Sequence, residues 1–142
     1  MAENIHATLV ILGDRGVLIT GPSGSGKSSL ALDLIAHARG FALLVSDDRV
    51  LIERGADGRL IGRAPSVIAG QIEMRGIGIV ARSFEPRAVV DLVVDLVDPE
   101  SVERMPDAAF WNGVPFLRLP WRACTPARQH VAFALMQPKS GL

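Results

Sequence analysis

Short apolar runs bounded by glycine, proline and charged residues are the dominant pattern of this chain. Residues 7–12 and 16–20 are two such runs, separated by Gly13-Asp-Arg-Gly16, and this arrangement predicts a β-hairpin. The next run, 28–38, is apolar on most sides, which predicts a buried helix that stops at Gly40.

The remaining runs predict more strands, a second hairpin and a closing helix. We expect strands at 41–45, 50–54, 59–62, 76–81, 89–97 and 114–119, and a helix at 126–137. The four-residue spacing of Asp91 and Asp95 also permits a helix in that part of the chain. Residues 64–75 and 98–113 are interpreted as irregular, since prolines interrupt them. The pattern predicts a strand-rich α/β fold with a mixed sheet and few helices, in one domain over residues 1–142.

Composition and charge narrow the class of protein. Nearly half of the 142 residues (49%) are hydrophobic, which supports a globular fold. The formal net charge is zero, so there is no electrostatic argument for nucleic acid or anionic membranes as partners. The single cysteine, Cys124, excludes an internal disulfide framework. The sequence has no apolar run of membrane-spanning length, and its N-terminus lacks the basic region of a secretory signal peptide, so we expect a cytoplasmic protein.

The segment from Gly21 to Ser28 carries the strongest chemical signal. It fits the pattern G-x-x-x-x-G-K-[ST], with a predicted strand before it and a predicted helix after it. Glycines let backbone N–H groups curl around phosphate oxygens, and the helix N-terminus adds partial positive charge. Lys27 is one of only two lysines and would reach the outer phosphates, while the Ser28 hydroxyl would hold Mg²⁺. The alternative is a glycine-rich turn without a ligand.

The sequence thus predicts a polyphosphate site made by one continuous segment. Its residues are Gly21, Pro22, Ser23, Gly24, Ser25, Gly26, Lys27, Ser28 and Ser29.

Phosphoryl transfer also needs a carboxylate, and Asp47-Asp48 is the leading candidate. The pair follows the run 41–45, where a strand would end beside the glycine-rich segment. Adjacent strand residues point to opposite faces, so we expect the two aspartates to have different roles. The alternative is a simple Asp-Asp turn. Asp95 and Asp98 are weaker candidates for a metal-binding strand end.

A second cluster lies in Ile72-Glu-Met-Arg-Gly-Ile-Gly-Ile79. Glu73 and Arg75 would share one face of an extended segment, offering a metal ligand and a phosphate-binding cation. The alternative is a surface ion pair. Of the histidines, His6 precedes the first strand, whereas His37 and His130 have no supporting context.

These segments together resemble the catalytic domain of HPr kinase/phosphorylase, bacterial enzymes that phosphorylate a seryl hydroxyl of the phosphocarrier protein HPr and also remove that phosphate. The resemblance rests on the histidine before the first strand, GVLITGPSGSGKSSLALDLI, VSDDRV, the GRAP segment and IEMRGIGIV. It implies a phosphate-binding-loop fold like that of phosphoenolpyruvate carboxykinase, with ATP and Mg²⁺ as cofactors. It also implies a homo-oligomer, since family members form hexamers.

The resemblance further implies roles for individual residues. Lys27 would contact the phosphates, and Ser28 and Glu73 would bind Mg²⁺, with Asp47 as a further candidate ligand. Asp48 would be the general base toward the seryl hydroxyl, and an acid when inorganic phosphate attacks phosphoserine and pyrophosphate leaves. His6 matches a further active-site histidine. Val102-Glu-Arg-Met105 resembles the family's Asp-Arg pair, which would make Arg104 catalytic.

Two departures from the fuller family pattern modify this expectation. The chain matches the catalytic domain and lacks the usual N-terminal domain, as in shortened members. The family's Pro-Val-Arg-Pro-Gly-Arg segment, linked to dephosphorylation, has its nearest counterpart in residues 119–128, which are longer and lack the glycine. The phosphorylase activity is therefore less strongly implied than the kinase activity.

Three functions remain open on the sequence. The leading hypothesis is an ATP- and Mg²⁺-dependent seryl kinase of HPr or of its nitrogen-branch paralogue. The second is a small-molecule kinase or unrelated NTPase with the same loop. The third is a nucleotide-sensing regulator that binds phosphotransferase proteins or a sensor kinase.

Overall fold

The computed structural model describes residues 2–74, 76–122 and 124–136. Within these residues it has ten strands, two α-helices and two short 3-10 turns. In chain order they are β1 (Glu3–Leu12), β2 (Arg15–Thr20), α1 (Lys27–Ala36), β3 (Ala42–Ser46), β4 (Arg49–Arg54), β5 (Leu60–Arg63), a 3-10 turn (Ser66–Ile68), β6 (Gln71–Met74), β7 (Gly78–Ala81), β8 (Arg87–Val97), a 3-10 turn (Pro99–Ser101), β9 (Ala109–Trp111), β10 (Val114–Pro120) and α2 (Cys124–Leu135).

Two long strands, β1 and β8, connect two layers of the main sheet. The first part of β1 (3–6) pairs with β4, and its second part (7–12) pairs with β2 and, in part, with β3. In the same way, residues 87–89 of β8 pair with β5, and residues 90–97 pair with β2 and β10. The β2–β8 and β8–β10 pairs are parallel and the other pairs are antiparallel, so the predicted mixed sheet is confirmed.

The two layers enclose one core and the helices cover another. Along β1, Ala7 and Leu9 face the core between the layers, and Val10 faces the core beneath α1 and α2. Because successive strand residues point to opposite faces, one apolar strand can contribute to both cores. The core beneath the helices comprises Val10, Val17, Ile19, Leu30, Ala31, Leu34, Leu44, Ile72, Leu92, Val94, Leu96, Leu119, Ala127 and Val131.

The structure corrects four points of the sequence prediction, and the ends of β1, β8 and α2 also differ from it. Residues 71–74, predicted as irregular, form β6, which pairs with β7 in a separate two-stranded sheet. Residues 109–111, also predicted as irregular, form β9 at the edge of the main sheet. Both strands are too short to carry a periodic pattern. The run 89–97 lies in an extended strand, so its helical alternative is wrong.

The fourth difference concerns the end of α1. The helix stops at Ala36, four residues before Gly40, because His37 leaves the helical conformation with φ −103° and ψ 4°. Within the described residues, neither helix has the length and apolarity needed to cross a bilayer.

At Gly16 the backbones of β2 and β8 approach each other closely. A Cβ atom on Gly16 would lie 2.1 Å from the carbonyl oxygen of Val89. The register between the two strands shifts here, and the backbone N–H of Gly16 donates to Oδ2 of Asp91 at 3.3 Å. The parallel contact between β2 and β8 therefore requires a residue without a side chain at this point.

We predict that Gly16→Ala lowers the free energy of unfolding by about 1–3 kcal/mol, because β2 must move away from β8 to relieve the clash. Urea denaturation measures the change. Gly40→Ala is the matched control, since nothing lies within 4 Å of its Cβ position, and it should change stability by less than about 0.5 kcal/mol. Equal stability of the two variants would contradict this account of the β2–β8 contact.

Candidate functional site

The glycine-rich loop, residues 21–28, connects β2 to α1. Gly21, Gly24 and Gly26 have φ values of 151°, 81° and 99°, which residues with a Cβ rarely adopt. The loop thereby turns sharply and ends at the N-terminus of α1, where the unpaired N–H groups of a first helical turn favour anions.

Lys27 lies within this loop and is only 7% exposed. Its Nζ donates to the carbonyl oxygens of Gly21 at 3.0 Å and Pro22 at 3.3 Å. Burial lowers the pKa of Lys27, while the nearby charges of Asp48 and Asp47 act in the opposite direction. The loop lysine and both predicted aspartates therefore lie close enough for their charges to interact.

Asp47 is buried (5% exposed) and its carboxylate joins three elements. Oδ1 accepts hydrogen bonds from the hydroxyls of Thr8 at 2.9 Å and Ser28 at 2.6 Å, and Oδ2 accepts one from the backbone N–H of Glu73 at 3.1 Å. A buried carboxylate needs such donors because burial without them is costly. Asp47 thus fixes the position of the Ser28 hydroxyl and of β6 relative to β1.

Asp48 points the other way and is exposed. Its Oδ1 lies 2.8 Å from Nε2 of His6, and its side chain is 67% exposed. Its backbone N–H donates to the hydroxyl of Thr8 at 3.4 Å. We expected the two aspartates to diverge through strand alternation, but β3 ends at Ser46. They diverge because Asp48 has a left-handed backbone, with φ 72°, in the β3–β4 connection.

The second predicted cluster reaches the site through β6. Glu73 contributes its backbone N–H to Asp47, and its own side chain is exposed. Arg75, predicted to share its face, lies outside the described residues. The β6–β7 hairpin therefore contacts the buried carboxylate through the backbone of Glu73.

Comparisons with known proteins identify the family of this chain. A family model described as "HPr Serine kinase C-terminal domain" matches residues 1–108. The chain belongs to this family. Over 107 residues it is 37% identical to an HPr kinase/phosphorylase from Geobacter sulfurreducens, and over 76 residues it is 50% identical to one from Clostridium beijerinckii.

The extent of these matches differs between the two kinds of comparison. The aligned regions cover 70% and 54% of this chain but 33% and 24% of those two relatives, so the chain corresponds to about a third or less of their length. A solved structure titled HPr(Ser) kinase/phosphatase from Coxiella burnetii matches with a TM-score of 0.78 and 30% identity, covering 94% of this chain and 97% of that one. The strand-rich α/β fold with few helices is therefore a fold of this family.

Arg104, which the family resemblance made a catalytic candidate, is not in contact with this cluster among the described residues. It is exposed in the segment before β9 and lines a separate cavity of about 1450 Å³ beside Phe110 and Phe116. None of residues 21–28 lines that cavity. A catalytic role for Arg104 stays a prediction.

The weaker candidates have local partners. Asp95 accepts a hydrogen bond from the hydroxyl of Thr20 at 2.7 Å, and Asp98 accepts one from the backbone N–H of Glu100 at 2.9 Å. His37 and His130 each lie within hydrogen-bond distance of a backbone carbonyl four residues earlier in the chain. Ser23 in the loop and Ser29 in α1 are exposed, whereas the buried hydroxyl of Ser25 has no partner among the described residues.

Arg122 contacts the glycine-rich loop, although its sequence context did not predict this. This residue follows β10, and its Nε donates to the carbonyl oxygen of Gly24 at 3.0 Å. The only sequence signal was indirect: Arg122 belongs to residues 119–128, the segment that departs from the family pattern. Nothing in its local pattern indicates contact with a loop nearly a hundred residues away.

The environment of Lys27 leads to a titration experiment. In ligand-free protein labelled at lysine ¹³Cε, we predict that Lys27 titrates below the ordinary lysine value of 10.5, because burial disfavours its charged form. Added ATP should raise the pKa, since phosphate oxygens favour the ammonium.

Since the chain has only two lysines, Lys139→Arg leaves Lys27 as the single labelled side chain. A free-state pKa at or above 10.5, or one that ATP lowers, would contradict the described environment.

Proposed function

We propose that this chain is the catalytic domain of an ATP- and Mg²⁺-dependent kinase that phosphorylates a seryl residue of HPr or of its nitrogen-branch paralogue. The observation that carries the proposal is the exposed pair of Asp48 and His6. Asp48 is close enough to the lysine of the glycine-rich loop, Lys27, for its charge to act on the pKa of that lysine. Membership of the HPr serine kinase C-terminal domain family supports the choice of reaction.

ATP would bind through the glycine-rich loop, which acts here as a phosphate-binding loop. In the free protein Lys27 donates to the carbonyls of Gly21 and Pro22, and phosphate oxygens would compete for the same ammonium. The N-terminus of α1 adds partial positive charge at the same place. These features account for the binding of a polyphosphate. They do not determine which molecule accepts the phosphate, which depends on the rest of the site.

The oxygen-rich surroundings of Ser28 fit Mg²⁺. The Ser28 hydroxyl is 2.6 Å from Oδ1 of Asp47, and the backbone of Glu73 is bonded to the same carboxylate. Among the described residues, no group of three or more carboxylates, histidines or cysteines could hold a metal by itself. This fits a magnesium ion that keeps several waters and binds substrate phosphates. When bound, Mg²⁺ would neutralise negative charge on the transferred phosphate.

Asp48 is the proposed general base. His6 holds one of its carboxylate oxygens, which orients the group and leaves Oδ2 for the seryl proton. The exposure of Asp48 suits a base that must meet a side chain of another protein. Lys27 would meanwhile stabilise the negative charge on the phosphates during in-line transfer.

The direct test is incubation of the purified protein with labelled ATP, Mg²⁺ and either HPr or HPr in which the acceptor serine is alanine. We predict label on HPr and none on the alanine form. Asp48→Asn should lower the rate of phosphoryl transfer by about 100-fold or more, because it removes the base. ATP should still bind, because the loop is intact. Asp107→Asn, at an exposed position before β9, is the control and should keep the activity.

Other outcomes would favour the alternative functions. Phosphorylation of metabolites without any protein acceptor would indicate a small-molecule kinase. Intact ATP binding with no transfer to any carrier would indicate a nucleotide-sensing regulator. Full activity of Asp48→Asn would contradict the role of Asp48 as the general base.

A further inference from the structure

The turn between β10 and α2 lies against the glycine-rich loop. Arg122 makes two hydrogen bonds to the backbone of that loop: its N–H donates to the carbonyl oxygen of Ser25 at 3.0 Å, and its Nε donates to that of Gly24 at 3.0 Å. The preceding N–H, of Trp121, donates to Val97 at the end of β8 at 3.0 Å. The position of Arg122 is thus fixed from both sides.

The turn packs directly against the loop at Gly26. A Cβ atom on Gly26 would be in van der Waals contact with the Cα of Arg122, at 3.4 Å, and the φ of 99° is what favours glycine here. Arg122 itself has φ 55°, in the left-handed region that is uncommon for residues other than glycine. Glycine would adopt this backbone more readily and supply the same N–H. The backbone of this position thus gives no reason for an arginine, so we looked for a role of its side chain.

The guanidinium has more N–H donors than the described residues bind. Of its five N–H groups, the one on Nε is bonded to Gly24. The Nη2 atom lies near the same residue, 3.8 Å from the position that a Cβ on Gly24 would take. No described carboxylate forms an ion pair with Arg122. An exposed guanidinium at the edge of a phosphate-binding loop has the geometry to bind two phosphate oxygens at once.

We propose that Arg122 binds the phosphates of the nucleotide and serves with Lys27 as a second cation of the site. This inference rests on the proposed binding of ATP at the loop. Lys27 comes from the loop itself, whereas Arg122 comes from the end of β10. A separate ion pair, between Arg128 of α2 and Asp33 of α1 at 2.8 Å, holds α2 on α1.

The test is the affinity for ATP·Mg²⁺, measured by calorimetry on wild-type protein and three variants. Arg122→Gln should weaken binding about 10- to 100-fold, the size expected for a lost charge-assisted hydrogen bond. Arg122→Gly should weaken it similarly while the turn keeps its backbone, which separates loss of the side chain from misfolding. Arg39→Gln removes an exposed arginine beyond the far end of α1, about 15 Å from the loop by helix rise, and should bind like wild type.

Arg122→Lys distinguishes a phosphate contact from a merely structural contact with the loop. A lysine keeps the charge but cannot reproduce the Nε bond to Gly24, so partial recovery of the lost affinity supports the phosphate contact. If Arg122→Lys binds as weakly as Arg122→Gln, the side chain acts by holding the loop, and the inference is overturned. Wild-type affinity in Arg122→Gln also overturns it, while the proposed function stands. A wild-type protein that binds no ATP contradicts both.

Discussion

The buried carboxylate of Asp47 is the interaction on which the arrangement of this site depends. It accepts hydrogen bonds from Thr8 on β1, from Ser28 at the start of α1 and from the backbone of Glu73 on β6. Removing a carboxylate from water costs on the order of several kcal/mol unless donors replace the lost hydration. The fold must therefore bring these three elements together, and in doing so it sets the glycine-rich loop beside the β6–β7 hairpin.

Thr8 links Asp47 to Asp48, the proposed general base. Its hydroxyl donates to Asp47 and also accepts a hydrogen bond from the backbone N–H of Asp48. His6, two residues earlier on β1, lies on the same face and meets the Asp48 side chain. One strand thus positions both aspartates, the buried one through Thr8 and the exposed one through His6. The buried carboxylate holds the start of α1 beside β6, and the exposed carboxylate faces solvent, where the proposed acceptor protein would reach it.

The sequence predicted best what local patterns determine. The β1–β2 hairpin, the glycine-rich loop and α1 follow from consecutive residues, as does the choice of Glu73 as a candidate ligand, and the family resemblance added the active-site role of His6. The strands β6 and β9 were missed because four residues with one buried side chain, and three residues with none, carry too little periodicity. The divergence of Asp47 and Asp48 was predicted for the wrong reason, since a left-handed residue and not strand alternation separates them. Arg122 could not be predicted, because its contact with Gly24 spans 98 positions and depends on parallel pairing of β8 and β10.

The central claim is that the loop and the Asp48–His6 pair form a single phosphoryl-transfer site directed at a protein serine. The most direct measurement compares, over one time course, the ATP consumed with the phosphoserine formed on intact HPr by mass spectrometry. A base positioned for a seryl hydroxyl predicts about one phosphoserine for each ATP consumed and little hydrolysis when HPr is absent. ATP consumption that proceeds equally fast without HPr and leaves the carrier unmodified would contradict the account.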